Sequence, residues 1–282
     1  MSNLITREKI LEQARALPPA PRALAQVCEL LRDVNSDLRE IANLIRLDPA
    51  LSAEVIRVSN SAAFGAGWEI GSVDEAVARV GFSELLRLVG LATAMSLADE
   101  ALPAYGIELS ALRESLILHA LAAEAIAQRV SLEKNTAYAA GLLRWIGAMA
   151  MDRAARGVLP PERCYSTERH ATYVDWETAE FGMANTDVAM TILYEWRFPA
   201  ELVGAIGGYH LFPEPGGEDV FSGVLNLAGT IVAQAGRALP GEARMWVLTP
   251  AKLEAVNLSE TAWREAADEA LALFERQRVA LR

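Results

Sequence analysis

The stretch DPALSAEVIRVSNSAAF, residues 48–64, begins with a compact set of helix signals. Asp48 is a favoured N-cap residue, and Pro49 suits the first helical position, where its missing N–H is not needed. Leu51, Val55 and Val58 follow at helical spacing and form one apolar face. The stretch therefore predicts an amphipathic helix, followed by a loop over NSAAFGAGWEIGS (60–72).

Comparable start and stop signals recur along the rest of the chain. Ser72 and Glu75 predict a capped helix that ends at Gly81, and Ser83 starts another that runs to about Ala98. Further helices are predicted from Pro21, over 38–45, over 109–130, over 136–154, over 176–181, over 186–197 behind an Asn185 cap, over 199–209, over 219–235, from Thr249-Pro250 and after Ser259. Alternation typical of strands is not found, so the sequence predicts an all-α fold.

Composition and charge limit the classes of function. The chain has 282 residues, of which 52% are hydrophobic, and a net charge of −11, so we expect a folded protein and no nucleic-acid partner. Cys28 and Cys164 form no motif, which fits a reducing compartment. The longest uncharged run (221–236) is too short to span a membrane, and the N-terminus has no apolar signal segment. These features predict a soluble, cytoplasmic protein without a membrane partner.

The residues alone indicate no active site. The three histidines, His119, His170 and His210, are not spaced as a pair of metal ligands on one helix, and His119 falls on an apolar helical face. GLLRWIGAM (141–149) continues the helix predicted over 136–154, yet it places Arg144 and Trp145 among apolar residues. A buried arginine is costly without a counter-charge, so Arg144 requires an explanation.

Several stretches together resemble the HDOD family. They are IANLIRLDPALSAEVIRVSNSAAFG (41–65), SVDEAVARVGFSELLRLV (72–89) and LPPAPRALAQVCELL (17–31), and the similarity extends over roughly 15–235. HDOD domains are helical relatives of the HD and HD-GYP metal phosphohydrolases, occur in bacterial signalling proteins and lack the complete metal site. The resemblance implies an N-terminal helical subdomain (1–104), an HD-like multi-helix subdomain (105–240) and a C-terminal helical extension (241–282).

The resemblance also gives GLLRWIG a chemical meaning, because active relatives have a stretch similar to GLLHDIG there. The metal-site positions of those relatives fall, in chain order, on His119, on Arg144 and Trp145 for the His-Asp pair, on Asn185, on Tyr209 and His210 for a His-His pair, and on Gly229. Both carboxylates are therefore replaced, and Arg144 adds a fixed positive charge that repels divalent cations. This implies a vestigial site that holds no metal and uses no cofactor.

Three functions follow from these observations. The first is a non-catalytic signalling or regulatory protein that binds a protein partner, with Phe64 and Trp68 as candidate partner-binding residues; alternatively, both side chains fold back onto the core. The second is a pseudoenzyme that binds a nucleotide or cyclic dinucleotide near the former metal site, with Arg144 holding a phosphate. The competing interpretation is that Arg144 pairs with a carboxylate such as Glu124, or reaches solvent. The third, a metal-dependent phosphohydrolase, is disfavoured by the lost carboxylates. The sequence predicts neither the partner's identity nor the oligomeric state.

Overall fold

A computed structural model describes residues 5–17, 20–32, 37–61, 64, 69–211 and 219–278. Within these ranges the chain forms fourteen α-helices and no β-strand, which confirms the predicted all-α fold. The helices are α1 (Arg7–Arg15), α2 (Ala20–Arg32), α3 (Leu38–Arg46), α4 (Pro49–Ser59), α5 (Val73–Leu97), α6 (Leu109–Arg129), α7 (Lys134–Leu143), α8 (Ile146–Ala155), α9 (Tyr173–Phe181), α10 (Asn185–Glu195), α11 (Ala200–Gly208), α12 (Val220–Gln234), α13 (Pro250–Ala255) and α14 (Glu260–Gln277).

Helices α2 to α5 form the first group, in which α2, α3 and α4 all pack against α5. The predicted caps explain where two of these helices begin. The Asp48 carboxylate accepts hydrogen bonds from the backbone N–H groups of Ala50 and Leu51, and the Ser72 hydroxyl accepts one from Glu75. Gly81 has a φ of 70°, so α5 bends there, at the residue where the sequence predicted one helix to end.

Helices α6 to α12 form the second group, in which α6 contacts α7 and α12, and α8 contacts α10. Helix α1 packs on α8 and α10, although its sequence precedes the first group. It was not predicted because its sequence is mostly polar and only Ile10 and Ala14 are buried. Helix α14 lies along α6, and α2 contacts α7 where the two groups meet. The boundaries 1–104, 105–240 and 241–282 stay predictions.

The single helix predicted over 136–154 is wrong. Two helices occupy this range: α7 ends at Leu143 and α8 begins at Ile146, with Arg144 and Trp145 at the junction. Neither junction residue is glycine or proline, although Gly141 and Gly147 lie nearby, and both junction side chains contact Glu242. None of the described helices combines the length and the apolar character that a membrane span requires.

Candidate functional site

Six of the seven positions implied by the resemblance converge in the second helical group. Trp246 brings several of them together, because its indole packs against Gly229 and lies near the rings of His119 and Tyr209. His210 stacks beside Tyr209. The six positions are His119, Arg144, Trp145, Tyr209, His210 and Gly229. We refer to them with Glu242 and Trp246 as the central cluster.

Arg144 is the electrostatic centre of this cluster. Its side chain and that of Glu242 are each 0% exposed, and its Nη1 donates to Oε1 of Glu242. Its Nη2 donates to the Ser115 hydroxyl at 2.8 Å, and its guanidinium carbon lies 4.9 Å from the ring centre of Trp246. Burial, the largest single effect, lowers the pKa of Arg144, but the charge and hydrogen bond of Glu242, together with Tyr209 and Tyr173, make the net direction upward. Arg144 is therefore a permanent buried cation with an internal counter-ion.

Glu242 lies in the segment between α12 and α13. We refer to residues 239–246 of this segment as the inserted segment. Oε1 of Glu242 also accepts the indole N–H of Trp145 at 2.8 Å, and its Oε2 accepts the backbone N–H of Leu239 at 2.8 Å. The carboxylate thus has three N–H donors, which compensates its loss of hydration. The expectation that Glu124 pairs with Arg144 is wrong, because Glu124 binds Arg87 at 3.1 Å instead.

Trp246 occupies space that a side chain at position 229 would otherwise take. A Cβ atom at Gly229 would lie 2.3 Å from Cδ2 of Trp246, far below van der Waals contact. The indole also lies 5.2 Å from the His119 ring, measured between centroids. An aspartate at position 229, as in the active relatives, is therefore sterically incompatible with this position of Trp246.

The two retained histidines are neutral; His119 is buried and His210 is half-buried. Nε2 of His119 lies 2.9 Å from the carbonyl oxygen of Leu225, so it donates and Nδ1 carries the lone pair. Burial, followed by the charge of Arg144, lowers the pKa of His119 well below its usual value. Burial and then Arg144 lower the pKa of His210 to about 3, and its Nε2 is hydrogen-bonded to the Tyr173 hydroxyl.

Asn185 lies in a neighbouring polar cluster instead of the central one. Its backbone N–H and its side-chain amide both donate to the buried carboxylate of Glu177, at 2.8 Å and 2.9 Å. The hydroxyl of Tyr105 donates to the same carboxylate at 2.8 Å. Asn185 was predicted as the N-cap of its helix, but that position belongs to Ala184. Burial raises the pKa of Glu177 to about 7.

Asp152 of α8 is a further buried acidic residue of the second helical group. Its carboxylate is fully buried and accepts the backbone N–H of Ala104 at 2.8 Å. Burial raises its pKa to about 7. Cys28 is also buried.

The residues present do not fit the divalent metal of the HD relatives. His119 and His210 are neutral and each engages one nitrogen in a protein hydrogen bond, while the charge of Arg144 acts on both rings. Nowhere in the described part of the chain do three His, Cys, Asp or Glu side chains cluster as metal ligands. Glu242 is the one carboxylate in the central cluster, and Arg144 already neutralises it.

Phe64 is half-buried and packs against the hydrophobic core, which agrees with the interpretation that it folds back. Trp68 lies outside the described residues. The residues that sequence reasoning missed are Glu242, Trp246 and Glu177. A buried arginine signals that some carboxylate must approach it, but nothing local distinguishes Glu242 among the 37 Asp and Glu residues of the chain.

The fold and the central cluster define an HD-like, all-helical protein in which the positions implied by the resemblance are packed against its own side chains. The sequence pattern of the HDOD domain matches residues 17–212. The chain therefore belongs to the HDOD family. The inserted segment and helices α13 and α14 lie beyond the matched residues.

Solved structures have the same fold. A candidate phosphohydrolase from Shewanella amazonensis SB2B is 20% identical, with a TM-score of 0.69 over 97% of this chain and 96% of the other. An HDOD domain protein with unknown function from Geobacter sulfurreducens is 19% identical, with a TM-score of 0.65 over 97% of each chain. A candidate signal transduction protein from Marinobacter aquaeolei VT8 is 21% identical, with a TM-score of 0.71 over 96% of this chain and 64% of the other. No curated protein sequence matches the chain.

Proposed function

We infer that this chain is a non-catalytic module of a bacterial, cytoplasmic signalling pathway and acts by binding a protein partner. The observation that carries this proposal is the filled central cluster, in which Glu242 and Trp246 take the place that a metal and its carboxylate ligands would need. Membership of the HDOD family supports a signalling role. The alternative of a nucleotide phosphate on Arg144 has less support, because Glu242 already binds that guanidinium.

Metal analysis and an activity assay test the catalytic half of the proposal. We expect far less than one equivalent of Mn, Fe, Co, Ni or Zn per purified chain. We also expect no hydrolysis of a generic phosphodiester above that of the His119→Ala variant. Stoichiometric metal together with hydrolysis that His119→Ala abolishes would overturn the assignment.

A groove between α2 and α3 is the surface that best fits a protein partner. Leu30, Leu44 and Leu47 line it, and the Leu47 side chain is 81% exposed. Glu29 and Glu40 flank the leucines and are both exposed. An apolar floor with acidic edges is complementary to an amphipathic helix whose apolar stripe has basic residues beside it.

Co-purification from the native host tests this surface. Leu47→Asp should remove the partner that the unaltered protein retains, because it places a charge in the apolar floor. The matched control is Tyr194→Asp, since Tyr194 is 79% exposed and belongs to α10, outside the groove. Phe64→Ala tests the other candidate surface. Retention of every partner by Leu47→Asp would exclude the groove, whereas loss with Phe64→Ala alone would move the interface to that surface.

A further inference from the structure

A cavity of about 360 Å³ lies between α5 and α14, away from the central cluster. Its volume is at the lower end of the range of small-molecule sites, about 300–1,000 Å³. It therefore suits a mononucleotide better than a dinucleotide. The polar residues on its wall come from both helices: Arg79, Glu84 and Arg87 from α5, and Arg276 and Gln277 from α14.

The charges on this wall favour an anion. Arg87 binds the carboxylates of Glu84 at 2.8 Å and Glu124 at 3.1 Å, so this single cation is shared between two anions. Arg79 is oriented by a long hydrogen bond of 3.4 Å from its Nη1 to the carbonyl oxygen of Ser59. Arg79 and Arg276 add two guanidinium groups to the same wall, in a chain whose net charge is −11. Guanidinium groups match the oxygen geometry of phosphate.

Gln277 supplies an independent observation. Its side chain is only 4% exposed, it lines the cavity, and its Oε1 has no hydrogen-bond partner within the described structure. A buried amide oxygen without a partner is unfavourable. Because no hydrogen bond holds that oxygen, rotation of the amide would offer either its acceptor or its donors to a ligand without breaking a protein contact to Oε1.

Phe64 completes the chemistry of the wall with a half-buried aromatic ring. Planar bases stack favourably on such rings. We propose that this cavity binds a nucleoside monophosphate, with its phosphate on Arg79 and Arg276, its base against Phe64 and the edge of the base hydrogen-bonded to Gln277. The site is separate from Arg144 and does not depend on the proposed protein-interaction role. The bound nucleotide would connect α14 to the first helical group.

Isothermal titration with AMP, GMP, CMP and UMP tests the proposal on the full chain. At least one of the four should bind, and Arg276→Glu should weaken that binding at least tenfold because it places a carboxylate beside the phosphate. Arg79→Ala should also weaken it. The matched control is Arg264→Ala on the same helix, since Arg264 is exposed and does not line the cavity, and it should bind within twofold of the unaltered protein.

Two further measurements identify which part of the ligand is recognised. Inorganic phosphate and the corresponding nucleoside, titrated separately, should each bind more weakly than the nucleotide.

Circular dichroism should show that Arg276→Glu remains folded, because the Arg276 side chain is exposed. Arg79→Ala provides a second readout from the opposite helix. The proposal is overturned if none of the four nucleotides binds at millimolar concentration, or if Arg276→Glu and Arg264→Ala bind equally well.

Discussion

Arg144 shows how one buried charge dictates its surroundings. Its guanidinium needs an anion, hydrogen-bond acceptors and polarisable neighbours, and these come from Glu242, Ser115 and Trp246. All three lie far from Arg144 in the sequence. The sequence therefore showed that Arg144 needs a partner but did not identify the partner, because the contacts of Arg144 are long-range.

Removing the counter-ion should be strongly destabilising. Glu242→Ala leaves a fully buried Arg144 and the indole N–H of Trp145 without their acceptor. We expect the free energy of unfolding to fall by about 3–5 kcal/mol, as for other broken buried ion pairs. Urea denaturation followed by circular dichroism measures this loss.

The double variant Arg144→Met, Glu242→Leu provides the control for that experiment. Replacing both charges with apolar side chains removes the uncompensated ion, so the double variant should be more stable than Glu242→Ala alone. If both variants lose the same stability, packing at position 242 and not charge pairing explains the effect.

Glu177 makes a prediction about pH. Burial raises its pKa from 4.5 to about 7, so the folded state binds more protons than the unfolded state between those values. The contribution of Glu177 to stability is therefore fully present below about pH 4.5 and is lost as the pH rises to 7. Glu177→Gln cannot titrate at this position. Between pH 5 and pH 8, the free energy of unfolding should therefore fall by about 2 kcal/mol more in the unaltered chain than in Glu177→Gln.

The test compares the pH dependence of the unfolding free energy between the two proteins. The unaltered chain alone is not sufficient, because the pKa of Asp152 is also raised to about 7 and Asp152 titrates in the same interval. Urea denaturation at pH 5, 6, 7 and 8 gives both curves. Parallel curves for the unaltered chain and Glu177→Gln would show that Glu177 does not titrate in this range.

At the scale of the helix, local signals worked where a cap or an apolar stripe sets the boundary. Asp48-Pro49, Ser72 and Thr249-Pro250 each begin a helix where the sequence predicted one. The same reasoning failed at Arg144–Trp145, where two helices replace the single one predicted and both side chains contact Glu242. It also missed α1, whose polar sequence is held by packing on α8 and α10.

Helix α12 carries a prediction at Gly229. A methyl group there would meet the Trp246 indole at 2.3 Å, so Gly229→Ala should destabilise the protein by about 1–3 kcal/mol through overpacking. Thermal denaturation measures the change.

Gly204→Ala in α11 is the matched control for this substitution. Its added Cβ would have only the Asp219 carboxylate as a neighbour, at an ordinary 3.9 Å. Replacing a helical glycine without a steric conflict should stabilise the protein by about 0.5–1 kcal/mol. Equal effects of the two substitutions would mean that Trp246 does not pack against α12 in solution.

At the scale of the whole molecule, the part beyond the family match completes the core. The inserted segment supplies Glu242 and Trp246, and α14 packs along α6 through Trp263, Ala270 and Phe274. Family resemblance predicted the helical fold, and six of the seven positions that it implied lie in the central cluster. It could not predict what fills that site, because the filling residues lie outside the resemblance.

A chain ending at residue 235 should therefore lose cooperative unfolding. It lacks the partner of Arg144 and the buried face of α14, so we expect exposed apolar surface and a broad thermal transition. Binding of the dye ANS and circular dichroism against temperature detect both effects. A chain ending at residue 278 is the control and should unfold cooperatively. A sharp transition in the shorter chain would show that the hydrophobic core is complete without residues 236–282.

The distance between Arg144 and Glu242 along the chain also has a consequence for biosynthesis. The two residues are 98 positions apart, so at ribosomal rates of about 5–20 residues per second roughly 5–20 s separate their synthesis. During that interval α6 to α8 already exist, but the guanidinium at their centre has no anion. We expect these helices to stay loosely associated on the ribosome and to lock only when the inserted segment emerges, which makes the last part of the chain the trigger for its final folding step.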